Sequence, residues 1–222
     1  MSFEFQLVLI GGAIGVAGAV IGGAVESLVS YWLERSRSEY QRRQQHIETA
    51  LEWAVRGRKG SLRRADLHGA DLRGVDLGSG EEEEQGADLS YADLRKANLS
   101  QADLTNADLR QTYLDGANLG EAVLTKANLQ GAVLSRAILT EANLYEADLR
   151  EADMHEVILR KADLSGALLI KTNLYKADLS KANLNGANLY KANLRRAKVT
   201  REQLTKAETI MEAILPDGTR HE

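Results

Sequence analysis

Cysteine is absent from the 222 residues, so disulfides, thiolate metal sites and thiol nucleophiles are excluded, while the compartment stays open. Proline occurs once, at Pro216, and aromatic residues make up only 5% of the chain, which argues against an ordinary core of large mixed side chains. Chemistry-bearing motifs are missing as well. The four histidines, His46, His68, His155 and His221, are scattered, and no nucleophile elbow, phosphate loop or metal-ligand spacing occurs. The expectation is a protein that is not an enzyme, with no cofactor and no metal.

What the chain has in abundance is a five-residue pattern. ADLSYADLRKANLSQADLTNADLR runs from Ala87 to Arg110, and from Leu89 to Leu194 there are 22 such repeats, with Leu at the centre of 21 and Met154 in the other. Ala stands two residues before the centre in 19 of the 22, and Thr112, Val157 and Thr172 fill the rest. Four earlier repeats centre on Leu62, Leu67, Leu72 and Leu77. A helix turning about 100° per residue would scatter these Leu around its cylinder. A long strand would send alternate Leu to opposite faces. The pattern fits only a short extended piece per pentapeptide, with Ala and Leu inward and Asp or Asn outward, followed by a two-residue corner. The chain must coil into a solenoid whose turns bury their inner faces on one another.

Tandem A(D/N)LXX arrays are similar to those of the pentapeptide repeat family, and the resemblance covers roughly residues 60–199. It implies an all-β solenoid, a right-handed quadrilateral β-helix with four pentapeptides per coil, about 30 Å long at the usual inter-strand spacing. Some members of that family are acidic DNA mimics that bind type II topoisomerases and confer quinolone resistance.

The flanks read as caps. Thr200 and Gln203 form a capping-box start, and Leu204, Ala207, Met211, Ile214 and Leu215 recur at helical spacing up to Pro216, which predicts a C-terminal capping helix and tail over 200–222. Ile47, Ala50, Leu51, Ala54 and Val55 make an apolar face ending at Gly57, the expected N-capping helix of a basic stalk over 34–59. Upstream, Leu7 to Val25 is uncharged and long enough to cross a hydrocarbon core, so residues 1–33 are expected to be an N-terminal transmembrane anchor, with a buried helix as the alternative. Nine Lys or Arg against four Glu between Glu34 and Arg64 place the C-terminal domain on the cytoplasmic side of a bacterial inner membrane or a similar one. Gly11, Gly15, Ala19 and Gly23 fall four apart, a strip on which another transmembrane helix, or a second copy, could pack.

The outer surface carries the remaining signals. Residues 65–159 hold 7 basic and 19 acidic side chains, and residues 160–201 hold 10 and 2, so the rod is an electrostatic dipole. A 20-residue coil stacks Lys161 near Lys181, Lys171 near Lys191 and Lys176 near Arg196, a basic ladder that an anionic partner would relieve unless it is simply solvated. GSGEEEEQG, residues 78–86, sets Leu77 and Leu89 twelve apart and reads as one degenerate pentapeptide plus two residues, a solvated excursion. The outward residue before Leu becomes apolar at Tyr113, Val123, Val133, Ile138 and Ile158, with Leu168 further on. The first five should form one patch around a corner, a partner site unless they merely reflect β propensity. The function expected is a membrane-tethered protein–protein interaction scaffold or accessory subunit, with nucleic acid not expected as a ligand. The alternative is a DNA-mimic binder of gyrase.

Overall fold

The computed structural model describes residues 22–55, 61–79 and 85–222. It contains two compact units, Met1–Arg42 and Arg43–Glu222. The second holds the repeats, and its geometry follows from the needs of five backbone N–H groups per pentapeptide.

Leu94 and its neighbours illustrate the rule. The Leu94 N–H donates to the Tyr113 carbonyl at 2.8 Å, and the Tyr113 N–H donates back to Ala92 at 3.0 Å, so each side of the coil is stitched to the next. The Lys96 N–H reaches Asp115 O across the corner at 3.0 Å, and the Ala97 N–H closes the turn onto Leu94 O at 3.0 Å. The fifth donor, Arg95 N–H, goes to the Asp93 side chain at 3.1 Å. The closing i→i+3 bond requires the second corner residue to be left-handed, as Lys96 is at φ 58°, the sign pattern of a type II turn. Such a conformation costs about 1–2 kcal/mol for a residue with a Cβ, and the three corner hydrogen bonds offset it.

Between Asp88 and Lys198, single-residue parallel bridges made by the residue before the central position link each coil to the next at a separation of 20: Asp93 to Tyr113 to Val133 to Asp153 on one side, and Asn118 to Ile138 to Ile158 to Asp178 on the next. Numbering sides from these two, Asp103 and Val123 lie on side three, and Asp108 and Asn128 on side four. The interior is a stack of Leu and Ala, nearly all with no exposure at all. Thr112 and Thr172 are tolerated there because their hydroxyls donate to Leu109 O at 2.6 Å and Leu149 O at 2.8 Å.

The acidic insertion breaks the count differently from the sequence-based reading. Asp66, Asp71 and Asp76 pair with Asp93, Asn98 and Asp103, a separation of 27. The turn normally closed over three residues is closed by Ala87 N–H on Leu77 O at 2.8 Å. Leu77 and Leu89 are therefore consecutive positions separated by a seven-residue insertion, and no degenerate pentapeptide occupies a side. At its far end the following coil lies against Gly86, where a Cβ would sit 2.6 Å from Thr105 O.

At the N-terminal end, α1 spans Gly22–Val55. Ala50 is buried and Ile47 packs on the first coils, whereas Leu51 is 38% exposed and so off the covering face; Ala54 and Val55 have side chains outside the described set. The Nδ1 of His46 accepts the Asp66 N–H at 2.9 Å. At the other end the capping box is present, but α2 covers only Arg201–Thr205, not the longer helix expected. Leu204 fills the place 20 residues beyond Leu184, and Gln203 Nε2 donates to Leu179 O at 2.7 Å and Ala182 O at 2.8 Å. The chain then resumes coiling: Thr209 and Ile214 bridge Asn188 and Asn193, and Arg220 turns back antiparallel onto Ile214. The exposed backbone edge of the previous coil outcompetes a helix there, since Thr209-Ile210 and Ile214-Leu215 also satisfy the coil's outward-inward alternation.

The membrane assignment is corrected. Among the described residues no helix is long and apolar enough to cross a membrane, so a single-pass inner-membrane location does not stand. Most of Leu7–Val25, including Gly11, Gly15 and Ala19, lies outside the described residues, and Gly23 falls in the first turn of α1.

Deleting Gly80 to Gly86 joins Ser79 to Ala87 in unbroken register, and the melting temperature should stay the same or rise. A drop of more than a few degrees would show that the insertion supports the coil. Gly86→Ala in the full chain should instead destabilise by about 1–3 kcal/mol, because the contact it creates is with backbone.

A candidate partner-binding surface

Sixteen of the 22 regular outward positions from Asp88 to Asn193 carry Asp or Asn, and each of these accepts the backbone N–H two residues on, as Asp88 does from Ser90 at 3.0 Å and Asn193 from Arg195 at 3.2 Å. The amides among them also stack, with Asn173 Nδ2 on Asp153 at 2.8 Å and Asn183 Nδ2 on Asp163 at 2.9 Å. These carboxylates and amides are turn and ladder groups.

The other six positions are Tyr113, Val123, Val133, Ile138, Ile158 and Leu168, which cannot accept that hydrogen bond. Tyr113 stacks on Val133 on side one, Ile138 on Ile158 on side two, and Val123 lies on side three. Tyr113 is 49% and Ile138 40% exposed, while Val123, Val133 and Ile158 are half-buried. Four of the five expected patch residues, Tyr113, Val133, Ile138 and Ile158, thus wrap the corner between sides one and two, and Val123 stands one side further on. Leu168 stands apart on side four.

A neighbouring groove of about 340 Å³ had escaped the sequence reading. Tyr91, Tyr113, Arg64, Arg95, Asp66 and Asp93 line it. Tyr91 occupies a corner position at φ 61°, an uncommon conformation for so bulky a side chain, and stays 45% exposed with Arg63 and Arg64 over its ring at 5.4 and 5.8 Å. The signal lay in the sequence, because every second corner residue must be left-handed and Tyr91 alone places an aromatic ring there.

The basic ladder is less free than its spacing suggested. Lys161, Lys171 and Lys176 pair with the acid one coil earlier, Glu141 at 2.6 Å, Glu151 at 3.1 Å and Glu156 at 2.9 Å, and Lys191 approaches Glu212 at 3.6 Å. Hydrogen bonds donated to these acids raise the pKa of Lys161 and Lys176, and Lys176 lowers that of Glu156. Arg196 bonds the Tyr175 hydroxyl at 3.3 Å, and Lys181 has no acidic partner among the described residues. Acids one coil earlier thus offset much of the ladder's charge, which leaves less for an anionic partner to relieve. Among the described residues no group of His, Asp or Glu is arranged to hold a metal ion.

Beyond Ile158 on side two, Asp178 is the one buried carboxylate among the described residues, bridged by Arg160 at 2.8 Å and Lys198 at 3.4 Å. Burial pushes its pKa up, but hydrogen bonds from Ser180 and Arg160 outweigh that and hold it well below the usual carboxylate range.

The family model for pentapeptide repeats matches residues 61–78, 85–120, 117–155 and 158–196, with eight copies, more than half of the chain. No curated protein matched. Among solved structures, the chain is similar to HetL, a pentapeptide repeat protein involved in heterocyst differentiation regulation from the cyanobacterium Nostoc sp. strain PCC 7120, at 34% identity over 72% of this chain and 87% of that one, TM-score 0.24. Rfr23 from the cyanobacterium Cyanothece 51142 matches at 29% identity over 54% and 84%, TM-score 0.36. A trypsin-treated form of QnrB1, a plasmid-mediated fluoroquinolone resistance protein, matches at 20% identity over 69% and 76%, TM-score 0.46.

Because the Asp178 pKa is depressed on folding, its stabilisation is present above the unfolded value of about 3.9 and is lost as pH falls through the folded one. The native chain should therefore exceed Asp178→Asn in melting temperature at neutral pH, with the gap closing below about pH 4. A gap that is constant with pH would remove the ion pairs as its cause.

Proposed function

Since the chain belongs to the pentapeptide repeat family, whose members form right-handed β-helix solenoids and whose relatives suggest a protein-interaction role, we propose that Arg43–Glu222 is a non-enzymatic interaction module binding protein through the patch on sides one and two. One observation carries this reading. Each apolar residue at an outward position gives up the side-chain hydrogen bond that every Asp or Asn at that position makes, a loss of about 1 kcal/mol each. Four of the six such losses fall at Tyr113, Val133, Ile138 and Ile158, in neighbouring coils on two adjacent sides, where they expose apolar surface. Residues chosen for stability alone would keep the Asx turn. Concentrated losses of this kind are what a binding surface requires, as at other sites where function overrides local preference.

The double change Ile138→Asn and Ile158→Asp restores the turn acceptors. Its melting temperature should hold or rise by a few degrees, on the scale of about 2–4 °C per kcal/mol for a chain of this size. Captured protein partners should be lost at the same time. A destabilised variant would contradict the turn argument, and an unchanged set of captured proteins would remove the patch as the site.

A further inference from the structure

Side two and the two corners that flank it change character at one level, the boundary between the coil of Ile138 and the coil of Ile158. On the corner between sides two and three the second corner residues stack as Gln101, Glu121, Glu141, Lys161 and Lys181, all left-handed and all exposed but for their contacts within the column. Two acids stand below the boundary and two lysines above it. On the corner between sides one and two, Arg136 lies below and Glu156 above, near enough within the rod for Arg136, after Lys176, to help lower the Glu156 pKa. On side two itself Ile138 lies below and Ile158 above.

We propose that this surface binds a second copy of the chain, with the rods antiparallel and a two-fold axis passing through that boundary in the plane of the interface. The proposal rests on the patch being a binding surface and names its occupant. Such an axis reverses the rod direction and keeps each corner opposite its own copy. Glu121 then meets Lys181 of the second copy, and Glu141 meets Lys161; each contact occurs twice, as an isologous interface demands. Arg136 meets Glu156, and Ile138 meets Ile158. The Glu141–Lys161 pair already present in each copy at 2.6 Å would join its symmetry mate in a four-charge network around the axis. Lys181, which has no acidic partner among the described residues, gains one. One coil beyond, Asn118 faces Asp178, and a coil further Lys96 faces Arg196, so the complementarity is confined to the central four coils. That arrangement sets an apolar centre within a rim of opposite charges, the anatomy of a protein–protein interface.

Sedimentation equilibrium of the full chain at low ionic strength tests the axis. A dimer is expected, dissociating more readily toward 1 M salt, where the screening length falls to ~3 Å. Two charge-uniform variants separate this geometry from any other. Glu121→Lys with Glu141→Lys makes the corner all basic, and Lys161→Glu with Lys181→Glu makes it all acidic. Each alone should be monomeric and each should keep the native circular dichroism, because the pair broken is solvent-exposed and such pairs contribute little to stability. Mixed in equal amounts they should form a heterodimer, since every position is again opposite its complement. A native chain that stays monomeric, charge-uniform variants that still self-associate, or folded variants that fail to combine would each overturn the proposal. A monomeric native chain whose Ile138→Asn, Ile158→Asp variant still loses captured proteins would overturn the second copy while leaving the binding patch in place.

Discussion

Five backbone donors per five residues must find acceptors, and no pentapeptide can satisfy them alone. Two N–H groups reach the coils on either side, one crosses the corner to the next coil, one closes the turn, and one needs the outward Asp or Asn. From this come the left-handed corner, the separation of 20 and the narrow interior. The four inner Leu of one coil must meet those of the next at the spacing fixed by the hydrogen bonds, about 4.8 Å, so only Ala and Leu recur there. Thr112, Val157 and Thr172 are the limits of what that spacing admits, and the two Thr are held by carbonyls that already line the interior.

Much of this was legible because the constraint is periodic. The Leu and Ala positions were readable as an inward face, and the step of 20 correctly placed Tyr113 over Val133 and Ile138 over Ile158. Where the period is broken, reading by period fails. The insertion after Leu77 looked like a degenerate repeat because its length, seven, exceeds one repeat by two. Only the pairing of Asp76 with Asp103 shows that no side is spent on it. Residues 206–215 satisfy a helical stripe and a coil alternation equally well, and a neighbour in space decides between them, the free edge left by Asn188 and Asn193. His46 looked like one more scattered histidine, although its ring nitrogen meets the Asp66 N–H of the first coil. The lysines were misread for a simpler reason. Stacking was counted toward the C-terminus, where Lys161 meets Lys181, and the coil below, where it meets Glu141, was left out.

The outer residues carry information because the inner ones do not vary. A corner side chain is fixed against those 20 residues before and after it, so sign and polarity written along the sequence become columns on the surface. Within a column, unlike neighbours at 20 residues stabilise the rod itself, as Glu141 with Lys161 and Glu156 with Lys176 do. Like neighbours at that spacing, such as Glu121 with Glu141 or Lys161 with Lys181, do not help the monomer. They repel across a distance too short for salt to screen completely. Their presence in the same column as a favourable pair is therefore a feature the fold itself does not ask for.

The direction of assembly follows from that column. Two copies laid parallel in register, face to face on side two, are related by an axis along the rod that sets each flanking corner against the other one: Glu141 meets Arg136 and Lys161 meets Glu156, but Glu121 meets Gly116 and Lys181 meets Lys176, so the outer charges of the column go unpaired. A parallel stagger of two coils brings Glu121 to Glu156 and moves Ile138 onto Asp178. It also generates an open filament, because a translation does not close. Reversal pairs all four charges of the sign-changing corner, which becomes self-complementary, while the apolar pair on side two, which is symmetric about the same level, stays against itself. The coincidence of the two boundaries, one electrostatic and one apolar, at a single coil junction distinguishes this surface from sides three and four, where Val123 and Leu168 stand isolated among Asp and Asn.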